Sequence, residues 1–180
     1  MRWQPLGIVY HLLKKSDPPG KAIPWVQKTL SLANDALLRR GEVTPYSFVI
    51  FRGSVYSADL EDDVQEGLSL GLFELHPALG GYGCLVVGDD AVLRLADTCS
   101  DNDHYQRSID PRWEAELGRV LGFVSGRSLP EIDKLSLASW FLARGYPGDK
   151  AVKELYTRRR WTLTLEGAEK VVDEAREWLG

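Results

Sequence analysis

The chain has 180 residues, 44% of them hydrophobic and 27% charged, with six tryptophans and a formal net charge of -4. That is apolar material for one substantial core or two small ones, which excludes a disordered chain and a fold dependent on staples. The longest apolar runs, such as Phe48 to Phe51 and Leu85 to Val87, fall far short of the roughly 20 residues a membrane span needs, so no membrane partner is expected.

Apolar residues at Leu6, Val9, Tyr10 and Leu13 recur at helical spacing up to Lys14 and Lys15, and Asp17-Pro-Pro-Gly20 ends the pattern. Pro5, Gly7, His11 and the two lysines leave no apolar stretch of secretion-signal type, which makes the cytoplasm the expected location. A longer helix is predicted from about Pro24 through Val26, Leu30, Ala33 and Leu37 to Arg39 and Arg40, with Gly41 beyond its basic end. Ser47 to Arg52, bounded by Pro45 and Gly53, reads as a short strand.

Ser57 is the expected N-cap of a third helix, with Glu61, Asp62 and Asp63 in its first turns and Leu60, Val64 and Leu68 as its apolar stripe, closed by Gly71. Leu72 to His76 and Gly83 to Val87 flank Pro77 to Tyr82 as a β-hairpin with an uncharged loop. Helices, strand, helix and hairpin follow one another in the order of a winged-helix domain, placed at 1–98. Residues 99–110, polar and including Ser100-Asp-Asn-Asp-His104, are the expected linker. Four helical patterns follow at roughly 111–125, 130–144, 148–160 and 164–179 as a helical domain over 111–180. The fold class expected is therefore α+β, mostly helical: a winged-helix-like N-terminal domain with a small β-hairpin, then a helical C-terminal domain.

Charge is unevenly spread. Residues 1–57 carry eight Lys and Arg against three Asp and Glu, whereas 58–110 carry twelve acids against Arg94 and Arg107. An acidic middle is a poor surface for nucleic acid.

Several stretches resemble the YwgA-like family of winged-helix proteins and, more distantly, the Panacea (SocA-like antitoxin) domain. Lys21-Ala-Ile-Pro-Trp-Val-Gln-Lys-Thr-Leu-Ser-Leu32 is similar to the family's Leu-Gln-Lys helix. Phe51-Arg-Gly-Ser-Val-Tyr-Ser57 resembles its aromatic-x-Gly-Pro-Tyr-Ser turn, with the proline replaced and one residue added between Gly53 and Tyr56. Leu60, Asp63, Leu68 and Gly71-Leu72 follow, and Leu135 to Ser139 with Ala151, Val152 and Leu155 resembles the helical tail. The resemblance implies the fold and no particular reaction.

His76, Cys84, Cys99 and His104 lack the paired spacing of a zinc site, so no metal and no cofactor are expected. With no secretion signal, the two cysteines read as reduced and buried. Scarce Gln and Asn beside plentiful Arg, Glu and Trp hints at a thermophilic source, where a disulfide between them is the minority reading. Common hydrolase and nucleotide-binding signatures are absent, so no enzyme and no catalytic residue is expected. Asp59, Glu61, Asp62, Asp63 and Glu66 read as a solvated face rather than a metal site.

Gly118, Gly122 and Gly126 predict close helix packing, with a homodimer seam as the functional alternative. Arg158, Arg159 and Arg160 before Trp161 form either a basic helix end or a cationic patch with an aromatic platform. Gln27 and Lys28 read as an exposed helix edge or, from their family match, as a contact surface. With Arg52 and Tyr56 these are the candidate interaction residues. The expected function is non-catalytic binding of a macromolecule by a regulatory or adaptor protein, protein before DNA. The alternatives are a DNA-binding regulator using Lys14, Lys15, Lys21 and Lys28, and an enzyme of unfamiliar type.

Overall fold

The computed structural model describes residues 3–77, 83–88 and 109–180. Among them the fold is mixed α+β and mostly helical, with seven helices and two small antiparallel sheets. In chain order the elements are α1 (Trp3–Lys15), β1 (Lys21–Ala22), α2 (Ile23–Arg39), β2 (Val49–Phe51), β3 (Ser54–Tyr56), α3 (Ala58–Ser69), β4 (Phe73–His76), β5 (Cys84–Val87), α4 (Pro111–Val124), α5 (Leu129–Ala143), α6 (Gly148–Arg159) and α7 (Leu165–Leu179). No helix is long and apolar enough to cross a membrane among the described residues.

Contacts divide the chain into two compact units, Met1–Val26 with Ala58–Gly122, and Gln27–Ser57 with Phe123–Gly180. This interleaving differs from the expected sequential division at 98 and 111. The reason is non-local: the segment after Val26 finds its packing partners beyond residue 122, so α2 and α4 each begin in one unit and continue in the other. Of the expected linker, residues 99–108 lie outside the described residues, and Ile109 is buried.

In the first unit α1 packs on α3 and β5, and α3 on β4. Leu6, Val9, Leu13, Leu60, Val64, Phe73 and Leu85 are buried there at the positions the apolar periodicities select. The predicted hairpin is present, with Phe73 opposite Val87 and His76 opposite Cys84. A third strand joins it, β1 through Lys21 opposite Leu85, giving the order β1-β5-β4. Gly67 lies directly against the Phe73 ring, where a Cβ has no room. The hairpin loop at 78–82 lies outside the described residues. Cys84 is a free, half-buried cysteine and His76 faces Glu74 at 3.1 Å, while Cys99 and His104 lie outside the described residues.

In the second unit α5 packs against α6, α7 and β3, and α6 against α7. Ser128 and Glu131 form the capping box that starts α5. The stripe of α7 is buried at Ala168, Val172, Ala175, Trp178 and Leu179, with Val171 only half-buried. It packs on α5 and α6, stacks Trp178 on Phe123 at 4.7 Å, and donates from Trp178 Nε1 to Leu32 O of α2 at 3.2 Å.

Gly118 and Gly122 also depart from expectation. A Cβ at either position meets nothing within 4 Å, so no close helix contact compensates them among the described residues. Gly126, at φ 73°, ends α4 in the left-handed conformation that glycine takes without a Cβ clash.

Candidate interaction surface

Strands β2 and β3 form a hairpin turned by two residues, pairing Val49 with Tyr56 and Phe51 with Ser54. Arg52 has φ 50° and Gly53 φ 80°. Positive φ at both central positions is the type I′ geometry whose twist matches that of paired strands. Arg52 is the only non-glycine residue with positive φ among the described residues.

A polar hub behind this hairpin joins the stretches that carry the family resemblance. The Gln27 side-chain amide exchanges two hydrogen bonds with the Ser57 backbone: Nε2 donates to Ser57 O at 3.0 Å and Oε1 accepts from Ser57 N at 3.0 Å. It therefore acts as a substitute strand partner for a buried backbone segment. Lys28 Nζ donates to Val55 O and lies 3.7 Å from Asp133 Oδ1. Ser54 Oγ donates to Asp133 Oδ1, and Arg159 grips Oδ2 from Nη2 at 2.5 Å and Nε at 3.1 Å.

Burial pushes the Lys28 pKa down. The Asp133 carboxylate opposes that shift and the Arg159 guanidinium adds to it. The hub places one anion between two cations, the arrangement that makes a half-buried charge tolerable.

The lead-in to the hairpin is held in the same way. Trp140 Nε1 donates to Phe48 O at 2.8 Å and Arg144 Nη2 to the same oxygen at 3.1 Å. Arg144 Nη1 also reaches Asp35 Oδ1 at 3.0 Å. Asp35 is fully buried, and burial raises its pKa to about 7 with Arg144 opposing. The apolar pattern of α2 gave no signal for this buried carboxylate.

The structure separates the candidate residues. Gln27 and Lys28, at 4% and 7% exposure, are interior residues and not an exposed edge. Arg159 is turned inward onto Asp133. Arg158 pairs with Glu154 and lies 5.4 Å from the Phe141 ring centroid. Successive residues of a helix point about 100° apart, so a run of three arginines cannot share one face.

What remains outside is a set of aromatic and cationic groups. Phe51 is 53% exposed, with the Arg52 guanidinium 5.3 Å from its centroid and the half-buried Tyr56 ring 5.7 Å away. Trp161 is 87% exposed, with Arg160 5.0 Å from its ring centroid. The hairpin tip adjoins the end of α6, since a Cβ at Gly53 would meet Arg159 Nη1 at 3.6 Å. Arg52, Tyr56, Arg160 and Trp161 are thus the predicted residues available at a surface, and Gln27, Lys28 and Arg159 brace the hairpin behind it. Sequence reasoning missed Ser54, Asp133 and Trp140, whose roles depend on contacts 79 and 92 residues away.

In the first unit, the acid-rich α3 presents Asp62 and Gln65 outward, with Asp59, Glu61 and Glu66 half-exposed. Asp63, expected on that solvated face, is buried instead.

No protein-family model matches this chain, and no curated protein matches it.

Proposed function

We propose that the chain is a non-catalytic regulatory or adaptor protein of winged-helix type, related to the YwgA-like family, which works in the cytoplasm by binding another protein. Its element order supports the winged-helix reading, with α1, β1, α2, α3, β4 and β5 in sequence and β1 pairing with β5. The β2–β3 hairpin is then an insertion between the second and third helices.

One observation carries the preference for protein over DNA. The helix that a winged helix inserts into the major groove is α3, and it carries Asp59, Glu61, Asp62 and Glu66 at exposed or half-exposed positions with no lysine or arginine. Phosphate neutralisation dominates affinity for duplexes, so this face repels DNA. Fluorescence anisotropy with a random-sequence duplex tests the reading. Weak binding that vanishes between low and physiological salt is expected. Tight, sequence-selective binding at physiological salt that is lost in Gln65→Ala or Ser69→Ala overturns it in favour of a DNA-binding regulator.

A further inference from the structure

We propose that the tip of the β2–β3 hairpin and the end of α6 form one docking surface for an acidic segment of a protein partner, Arg52 and Arg160 meeting its carboxylates and Phe51 and Trp161 its apolar side chains. This rests on the protein-partner reading above and specifies its site and chemistry.

Four observations carry it. The first is the conformation of Arg52. Left-handed backbone brings a side chain's Cβ too close to the following carbonyl oxygen, and asparagine or aspartate is the usual choice at this turn position. Arginine gains nothing there by way of an acidic partner among the described residues, and its guanidinium lies over the exposed Phe51 ring. A residue that breaks a local rule without a compensating contact points to function.

The second is the repetition of the same device. Arg160 likewise has no acidic partner among the described residues and lies over the exposed Trp161 ring. A guanidinium over a ring keeps its donor edge available for bidentate contact with a carboxylate. Exposed tryptophan beside arginine is also the composition of interface hot spots.

The third is rigidity. The hairpin is fixed to α2, α5 and α6 through Gln27, Lys28, Asp133 and Arg159. A partner therefore meets a preformed surface and loses less entropy in ordering it.

The fourth is charge. The second unit holds 14 Lys and Arg against 11 Asp and Glu, a surplus of +3 in a chain whose total is -4. Its attraction for an acidic segment is consequently local and favourable. A nucleic-acid strand is the poorer fit, because it draws affinity from many neutralised phosphates. Here Arg158 and Arg159 are already neutralised by Glu154 and Asp133.

The test uses the full chain and a fluorescein-labelled twelve-residue peptide alternating Asp or Glu with Phe, measured against the same peptide with Asn and Gln in place of the acids, and against an oligothymidine of equal length. The acidic peptide is expected to bind at least about tenfold more tightly than the neutral one, with affinity falling as salt rises. Arg52→Asn creates the Asn-Gly pair that type I′ turns favour, so it should leave thermal stability equal or higher while weakening the peptide about fivefold or more. Trp161→Ala removes an exposed side chain and should weaken it without lowering stability. Equal binding of both peptides, or binding unaffected by both substitutions, overturns the proposal. Tighter binding of the oligothymidine through Arg52 and Trp161 overturns it in favour of single-stranded nucleic acid, and self-association abolished by Arg52→Asn overturns it in favour of a second copy. A purified protein partner whose binding ignores both substitutions overturns this surface while leaving the protein-partner reading intact.

Discussion

Arg144 places one guanidinium nitrogen 3.0 Å from the buried Asp35 carboxylate and the other 3.1 Å from the Phe48 carbonyl, tying α2, α5 and the approach to the β2–β3 hairpin together. Burial raises the Asp35 pKa from 3.8 to about 7. Between those values the unfolded chain releases this proton and the folded chain retains it. The contribution of Asp35 to stability is therefore fully present below pH 3.8, falls as pH rises through the window by up to about 1.4 kcal/mol per unit, and levels off above 7. Asp35→Asn should remove that slope. Urea midpoints at pH 5, 6, 7 and 8 should show the variant gaining on the native chain as pH rises, and a pH-independent difference would mean Asp35 is ionised throughout.

Gln27→Leu should be among the costlier substitutions at a polar position. It keeps approximate volume but removes both hydrogen bonds that the Gln27 side chain makes to the backbone of buried Ser57. The expected loss is about 2–4 kcal/mol by chemical denaturation. Hydrogen exchange should locate the damage, with the amide of Ser57 exchanging faster in the variant than in the native chain.

Trp178→Ala removes a ring stacked on Phe123 and a hydrogen bond to Leu32 O. A loss of about 3–5 kcal/mol is expected, as for other large-to-small changes in packed cores. Thermal unfolding measures it, and a loss below about 1 kcal/mol would mean that α7 is not integral to its unit.

Gly118→Ala and Gly122→Ala should each raise stability by about 0.5–1 kcal/mol. Both lie within α4, and beyond the helix's own backbone the added methyl group meets no atom of the described residues within 4 Å. Sedimentation of the same variants addresses the homodimer seam that the glycine spacing suggested, because a seam built on these positions would be disrupted by two methyl groups.

Most of the element order was legible in the sequence because apolar periodicity and capping chemistry are local. The helices ending at Lys15, Arg39 and Ser69, the four C-terminal helices and the β4–β5 pairing all lie within a residue or two of their expected bounds. Strand β3 was hidden because arginine occupies the turn position that asparagine or aspartate normally marks. Strand β1 was hidden because two residues carry no alternation.

The candidate site was half legible. Periodicity assigns polar positions to solvent, yet α2 is buried on all sides from Val26 to Leu37, and Gln27, Lys28, Thr29, Ser31, Asn34 and Asp35 go inside with its leucines. Nothing local distinguishes a buried lysine from an exposed one when the carboxylate that accepts it, Asp133, is more than a hundred residues away. The family resemblance drew attention to Gln27, Lys28 and the turn at 51–57, but as a contact surface, whereas Gln27 and Lys28 are buried. What it could not supply was that these segments brace one another.

The interleaved path of the chain also sets a timetable for synthesis. The ribosome delivers the β2–β3 hairpin first, but of the residues that hold it Asp133 follows Ser54 by 79 positions, and Trp140 and Arg159 emerge later still. Until then Gln27 can steady Ser57, while Lys28 and Ser54 wait for their carboxylate. The second unit can therefore close only after α5, α6 and α7 have emerged, whereas all the residues of the first are already made once Gly122 has left the tunnel. A nascent chain halted between those two points would carry one completed unit and one exposed, unbraced hairpin.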